Sequence, residues 1–131
     1  MKIIHTGLGA GSEEKADHFF IDILGLEKSG SKTLDKKLTQ AIFGINKELL
    51  VINYLGGETA HYEILVCQGY KAAEKQLLHS CIEVIGLANI VNKCKDAGLK
   101  VIRVSKGSGV LTFISDYDGN LFELKEQQSV L

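Results

Sequence analysis

The sequence contains no proline and no tryptophan, and Arg103 is its one arginine. It has no apolar run of about 18 residues, so no membrane span is predicted. Its 15 basic and 16 acidic side chains leave a net charge of −1. Proteins that bind nucleic acid or membrane surfaces usually carry a basic excess. The composition therefore argues against both kinds of partner and favours a small-molecule substrate.

The three cysteines, Cys67, Cys81 and Cys94, form no C-x-x-C motif, and their number is odd. Such usage is typical of reduced thiols in a cytosolic protein. The opening residues pass directly into a strand-like pattern instead of the apolar region of a signal peptide. We therefore expect a cytoplasmic protein.

The first half of the chain predicts a strand, a helix and three further strands. The strand covers residues 3–8, and the helix begins after the N-cap Ser12 and ends at Gly25. The apolar face of this helix has helical spacing and consists of Ala16, Phe19, Phe20, Ile23 and Leu24. A polar loop is predicted at residues 28–37. Three strands in two hairpins are predicted at residues 38–45, 48–55 and 61–67, followed by a short linker helix within residues 69–77.

The same order then repeats in the second half. A strand is predicted at residues 79–84, a helix through Leu87, Ile90, Val91 and Cys94, and strands at residues 100–105, 110–115 and 121–126. The repeat predicts an α+β fold in which two tandem βαβββ modules form a curved open sheet. We expect one domain over residues 1–131, with module one at 1–68, the linker at 69–77, module two at 78–126 and a tail at 127–131.

Four titratable residues, His5, Glu63, His79 and Glu123, occupy matched places in this repeat. Strand side chains alternate between the two faces of a sheet, and the neighbours of these four residues are largely apolar. The four side chains should therefore share the open face opposite the helices. Two imidazoles and two carboxylates around one point form a site for a divalent metal ion.

Three stretches of the chain resemble the vicinal oxygen chelate superfamily, whose best-known member is glyoxalase I, also called lactoylglutathione lyase. They are IIHTGLGAGSEEKADHFFIDILGLE, HSCIEVIGLANIVNKCKDAGLKVI and FISDYDGNLFELKE. The second stretch is also similar to methylmalonyl-CoA epimerase. The resemblance covers roughly residues 3–126.

The resemblance implies a zinc, nickel, cobalt or manganese ion held by His5, Glu63, His79 and Glu123. Glu48 is the alternative to Glu63, and a different strand register would put Val51 or Asn53 in that place. Relatives often form homodimers, so a homodimer is expected. The site lies either within one chain or across the dimer. The other two histidines, His18 and His61, are expected at the surface.

The implied reaction is that of a glyoxalase I type lyase or isomerase. A proton next to a carbonyl would move through a metal-bound enediolate, with Glu123 or Glu63 as the base and Glu123 favoured. No arginine lies near Gly7 or Gly9 to hold the carboxylates of glutathione, which favours another thiol adduct or a thioester. One alternative is a methylmalonyl-CoA epimerase-like racemase. The other is a non-catalytic protein that binds a small molecule such as an antibiotic.

Overall fold

In the computed structural model, which describes residues 1–128, the chain divides into two units, Met1–Lys71 and Ala72–Leu131. The division falls inside the predicted linker at residues 69–77. Of the predicted tail, residues 129–131 lie outside the described part. No helix among the described residues is long and apolar enough to cross a membrane.

Unit 1 contains a four-stranded sheet in the order β1-β4-β3-β2. β1 and β4 are parallel, and the other neighbours are antiparallel. Its elements are β1 (Thr6–Ala10), α1 (Glu13–Asp17) continued by a π-helical segment (His18–Ile23), β2 (Glu27–Leu34), α2 (Lys36–Phe43), β3 (Leu49–Gly56) and β4 (Ala60–Val66).

The first helix forms as the sequence predicts. The Ser12 side chain accepts a hydrogen bond from the Lys15 amide at 3.3 Å and caps the helix. Gly25 has a φ of 77°, the left-handed conformation that ends a helix most easily when the residue is glycine. The apolar face that packs into the core consists of Ala16, Phe19, Phe20 and Ile23, all at most 3% exposed.

The predictions for residues 28–37 and 38–45 are wrong. The first stretch lies mainly in β2 and the second mainly in α2. α2 begins where the Asp35 carboxylate accepts a hydrogen bond from the Leu38 amide at 2.8 Å, and it ends at Gly44 with a φ of 70°. β2 is an edge strand that pairs only with β3, so its polar side chains remain in solvent. The first predicted hairpin, between residues 38–45 and 48–55, therefore does not form. In its place, β2, α2 and β3 follow one another along the chain.

Two further boundaries differ from the prediction. β1 begins at Thr6 and continues to Ala10, and Ile3 and Ile4 precede it as exposed residues. Residues 69–77 contain no helix. The Ala72 amide instead donates to the Asp118 carbonyl, and the Gln76 side chain donates to the Gly119 carbonyl, so this segment lies against the turn before the last strand.

Unit 2 repeats the strand order of unit 1, as β5-β8-β7-β6, with β5 and β8 parallel. Its elements are β5 (Ser80–Val84), α3 (Leu87–Asp96), β6 (Val101–Lys106), β7 (Gly109–Ser115) and β8 (Leu121–Glu126). Ile90, Val91 and Cys94 are the buried face of α3, as their spacing predicts. The α+β fold with two tandem βαβββ modules is confirmed, and α2 is an additional helix in the first module.

The Glu126 carboxylate caps the start of α3. It accepts hydrogen bonds from the amides of Gly86 at 2.9 Å and Leu87 at 3.2 Å, where Gly86 has no side chain to do so. We expect Glu126→Ala to lower the free energy of unfolding by about 1 kcal/mol, as other lost helix caps do. Urea unfolding measures this loss. Glu83→Ala, which removes an exposed carboxylate from β5, is the control, and an equal loss in both variants would contradict the capping role.

The turn before β8 is built around the buried carboxylate of Asp116. This carboxylate accepts hydrogen bonds from the amides of Asp118 and Asn120, both at 2.9 Å, and from the Asn120 side chain at 2.7 Å. Burial raises the pKa of Asp116 to about 6, and the hydrogen bonds from Asn120 and Asp118 oppose that shift. The folded chain therefore binds this proton more tightly than the unfolded chain does.

The raised pKa of Asp116 predicts a pH dependence of stability. The stabilisation that comes from binding this proton is fully present below pH 3.8, the pKa of Asp116 in the unfolded chain. It is lost as pH rises through about 6, the pKa in the folded chain. The loss is on the order of 3 kcal/mol at neutral pH, from a shift of about two pH units. We expect Asp116→Asn to remove this dependence, so that the variant gains stability relative to the wild type between pH of about 4 and 7. Urea unfolding at both pH values tests it, and parallel losses in the two proteins would refute it.

Candidate metal centre

Unit 1 brings His5 and Glu63 together. His5 directly precedes β1, and Glu63 lies on β4, where its register partner is Gly7. Gly7 is two residues after His5, so the histidine lies on the same face of the sheet as the glutamate. The His5 Nε2 and Glu63 Oε2 atoms are 3.7 Å apart.

Unit 2 contains the same pair in the same register. His79 directly precedes β5, and Glu123 on β8 is the register partner of Cys81, two residues after His79. The His79 Nε2 and Glu123 Oε1 atoms are 3.8 Å apart. The histidine side chains of both pairs are 39% exposed, and the carboxylates are 22% exposed in unit 1 and 16% in unit 2. Both pairs are thus open to a ligand.

The opposite face of each sheet holds the core. Tyr62 and Ile64, which flank Glu63, are buried, and so are Phe122 and Leu124 around Glu123. Alternation along the strand therefore directs each carboxylate away from the core and onto the open face, as predicted from the sequence.

The hydrogen bond made by His79 defines which ring nitrogen is available. Its Nδ1 lies 2.9 Å from the Leu77 carbonyl, which can only accept, so Nδ1 carries a proton. In the neutral ring the lone pair is then on Nε2, which faces the Glu123 carboxylate. Two acceptors facing each other are stabilised by a cation between or beside them.

Each pair fits two ligands of one divalent cation. Ligands at about 2.1 Å from a tetrahedral ion lie roughly 3.4 Å from each other. The separations of 3.7 and 3.8 Å are within a few tenths of an ångström of this value. Imidazole nitrogen with carboxylate oxygen suits zinc, nickel, cobalt and manganese. A histidine whose other nitrogen donates to a carbonyl, as His79 does, is the usual arrangement at metal sites.

Within the described residues, no group of three or more His, Cys, Asp or Glu side chains could hold a metal ion. The four predicted ligands therefore come together as two pairs, one in each unit. The convergence of both pairs on one ion stays a prediction. The alternative acid, Glu48, is an exposed residue that precedes β3.

Sequence reasoning missed two groups that lie near these pairs, the His61 side chain and the Leu77 carbonyl. His61, expected at the surface, lies on the same face of β4 as Glu63, and its ring centroid is 5.6 Å from that of His5. Its Nε2 is 2.8 Å from the Asn53 Oδ1 atom. The two-residue spacing of positions 61 and 63 was the available signal. The Leu77 carbonyl that orients His79 could not be identified from sequence, because a backbone acceptor has no residue type.

Cys81 lies beside Glu123, its register partner. Burial raises the pKa of the Cys81 thiol, and the neighbouring Glu123 carboxylate raises it further. The structure places it exposed on the face that carries Glu123.

Comparison with known proteins identifies the fold. No protein-family model matches the chain, and no curated protein matches it. Among solved structures, a glyoxalase family protein from Bacillus cereus has a TM-score of 0.75 at 15% identity and covers 98% of this chain and 95% of its own. Glyoxalase I from Leishmania major, which is trypanothione-dependent, has a TM-score of 0.72 at 18% identity, with 96% of this chain and 86% of its own covered.

A third similar structure is the fosfomycin resistance protein FosX from Listeria monocytogenes, as a mutant complexed with Mn(II) and a dihydroxypropylphosphonic acid. Its TM-score is 0.69 at 16% identity, with 93% of this chain and 86% of its own covered. Similarity at these identities shows the fold. The chain has the fold of these glyoxalase-family structures, and the fold that the sequence resemblance implied is therefore confirmed.

Proposed function

We propose that this protein is a metal-dependent lyase or isomerase of the glyoxalase I type, which transfers a proton at a carbon next to a carbonyl. The observation that carries the proposal is the duplicated pair of imidazole and carboxylate, His5 with Glu63 and His79 with Glu123. Both pairs have the same position relative to their strands, and both are on the face opposite the core. For this activity, one cation must be bound by ligands from both pairs.

The residues that would hold the ion are His5, Glu63, His79 and Glu123. A divalent ion in this set supplies a Lewis acid that stabilises negative charge on substrate oxygens. The Listeria protein with Mn(II) supports a divalent metal for this fold in general. The Leu77 carbonyl holds the His79 ring so that Nε2 faces the site.

A carboxylate of the set performs the proton transfer. One Glu123 oxygen would remove the proton from the carbon next to the carbonyl and hold it as a carboxylic acid. In a thiol adduct of an α-oxoaldehyde, it returns the proton to the former carbonyl carbon while the hydroxyl proton of the first carbon passes to the other oxygen. In a thioester, it returns the proton to the carbon from which it came. The carbon–hydrogen bond that breaks is thereby replaced by a new one, and no oxidant or reductant is needed. The substrate class is a thiol adduct of an α-oxoaldehyde or a thioester, both of which have a suitably acidic carbon–hydrogen bond.

Metal binding by matched variants tests the proposed ligands. We expect the wild-type protein to bind a divalent ion, and Glu63→Gln to weaken its affinity at least about 10-fold, since even residues behind the ligands usually contribute that much. Glu48→Gln is the control, because it makes the same change at the alternative acid. Chelator competition with zinc or cobalt gives the affinities. Equal affinity in the wild type and Glu63→Gln would remove Glu63 from the ligand set. Turnover of methylglyoxal thiohemiacetals and methylmalonyl-CoA, assayed in parallel, then identifies the substrate class.

A further inference from the structure

Unit 2 has a cleft on the face of its sheet that packs against α3, opposite the face that carries His79 and Glu123. Leu124 is buried on this face, Thr112 is its register partner on β7, and Arg103 is the register partner of Thr112 on β6. Directly paired residues share a face of the sheet, so these three side chains lie together. The cleft has a volume of about 440 Å³. The lining residues include Arg103, Val110, Thr112 and Leu124 from the strands and Leu87 and Ala88 from α3.

The cleft contains the only arginine of the chain, Arg103. Its side chain makes no hydrogen bond or ion pair with any of residues 1–128. The Glu126 carboxylate, which also lines the cleft, accepts from the amides of Gly86 and Leu87 instead, and the positive end of α3 offsets its charge. A guanidinium presents its N–H donors in a planar fork that suits a carboxylate. The donors of Arg103 are therefore free for a ligand.

Thr112 supplies a second donor to the cleft. The residue is 2% exposed, and its hydroxyl makes no hydrogen bond within residues 1–128. In the part of the chain that the structure describes, no fully buried side-chain oxygen or nitrogen lacks a hydrogen-bond partner. The Thr112 hydroxyl is therefore not sealed in the core, and it remains accessible from the cleft that Thr112 lines. Polar groups at this depth are nearly always hydrogen bonded, so an acceptor in the cleft would complete its bonding.

The matching positions of unit 1 show that the fold does not require these two donors. Ile52 and Thr112 are equivalent, because each pairs with the residue that follows the site glutamate of its unit. Ile52 is 0% exposed, and its partner on β2 is Ser31, in the place of Arg103. An apolar β-branched side chain therefore fills this place in unit 1, and the hydroxyl and guanidinium of unit 2 are not structural requirements of the repeat.

We propose that this cleft is a binding site for a short aliphatic carboxylate, separate from the metal centre and on the other face of the sheet. The carboxylate accepts hydrogen bonds from the Arg103 guanidinium and the Thr112 hydroxyl, which are neighbours on adjacent strands. The aliphatic chain lies against the apolar side chains of Val110, Leu87 and Ala88. The volume suits a small ligand, because ligand sites usually measure about 300–1,000 Å³.

Hexanoate, its uncharged amide hexanamide, and acetate test the site. Each is titrated into the intact chain, and the backbone amide signals of Arg103, Thr112 and Ala88 are followed by NMR. We expect hexanoate to shift these signals in a saturable way and to bind about 10-fold more tightly than hexanamide, because a charged acceptor strengthens both hydrogen bonds. Acetate should bind more weakly than hexanoate, since it lacks the chain that packs against the apolar wall.

Matched variants assign the two donors. Arg103→Met should weaken hexanoate binding about 10-fold and Thr112→Val about 5-fold, and valine keeps the shape of the threonine side chain. Lys106→Met is the control, because it removes a positive charge from the opposite face of β6 and should leave the affinity unchanged. Equal affinities of the wild type for hexanoate and hexanamide, or shifts that do not saturate, would overturn the site. Equal hexanoate affinities of the wild type and Arg103→Met would do so too. These titrations need no metal, so their outcome is independent of the proposed function.

Discussion

Glu123→Gln should lower kcat by about 10²–10⁴-fold, the usual contribution of a general base. Glutamine keeps the size of the side chain and one oxygen that can bind a cation, but it cannot accept the proton that leaves carbon. The Glu123 oxygen is 3.8 Å from His79 Nε2 and is the less exposed of the two candidate carboxylates. Turnover is measured at saturating zinc, and zinc affinity is measured separately. Low turnover at saturating zinc indicates loss of the base, whereas low zinc affinity indicates loss of a metal ligand.

The same substitution in unit 1 identifies which carboxylate is the base. We expect Glu63→Gln to act mainly through weaker metal binding, so that saturating zinc restores more of its turnover than it restores to Glu123→Gln. The control is Glu83→Gln, an exposed glutamate on β5. If metal-saturated Glu123→Gln keeps more than about a tenth of wild-type turnover, Glu123 is not the base, because general-base catalysis contributes at least about 10²-fold. A selective loss in Glu63→Gln would transfer the role to Glu63.

The elements that the sequence predicted well are those whose periodicity and end signals agree. The first helix has Ser12 at its start and Gly25 at its end, and the apolar residues between them have helical spacing. β8 was predicted with the boundaries that the structure has. The positions of His5, Glu63, His79 and Glu123 followed from the internal repeat, because a residue's place in a repeated unit determines its face and strand.

The wrong secondary-structure predictions lie where local sequence signals favour different structures. Residues 38–45 contain apolar and β-branched residues that suit a strand, but the cap at Asp35 and the left-handed Gly44 favour a helix. β2 was read as a loop because an edge strand with one neighbour keeps polar side chains, so its sequence lacks alternation. The spacing of positions 61 and 63 could have placed His61 on the face of Glu63, but its hydrogen bond to Asn53 could not be predicted. Asn53 is on another strand, and such contacts depend on register, which a single-strand pattern does not contain.

The largest effect on stability should come from Phe20, the centre of the unit 1 core. Its ring is 1% exposed and contacts three others: Phe19 edge-on at 5.0 Å, Tyr54 stacked at 4.9 Å and Tyr62 at 5.5 Å. Phe20→Ala removes these contacts and leaves a cavity, and such substitutions cost about 3–5 kcal/mol. Urea unfolding measures the loss. Phe43→Ala is the matched control, because Phe43 is 49% exposed on α2 and its removal should change stability by no more than about 0.5 kcal/mol.

The Phe20→Ala substitution should also affect the candidate metal site, because Phe20 packs against the strands that hold Glu63 in place. Tyr54 and Tyr62 lie on β3 and β4, and Tyr62 directly precedes Glu63 on the opposite face. The Tyr54 hydroxyl donates to the Asp17 carboxylate at 2.7 Å, which ties β3 to the first helix. Faster hydrogen exchange at β3 and β4 amides in Phe20→Ala, together with weaker zinc binding, would show that core packing holds Glu63 in place. Unchanged zinc affinity in the folded variant would instead show that strand pairing alone positions this carboxylate.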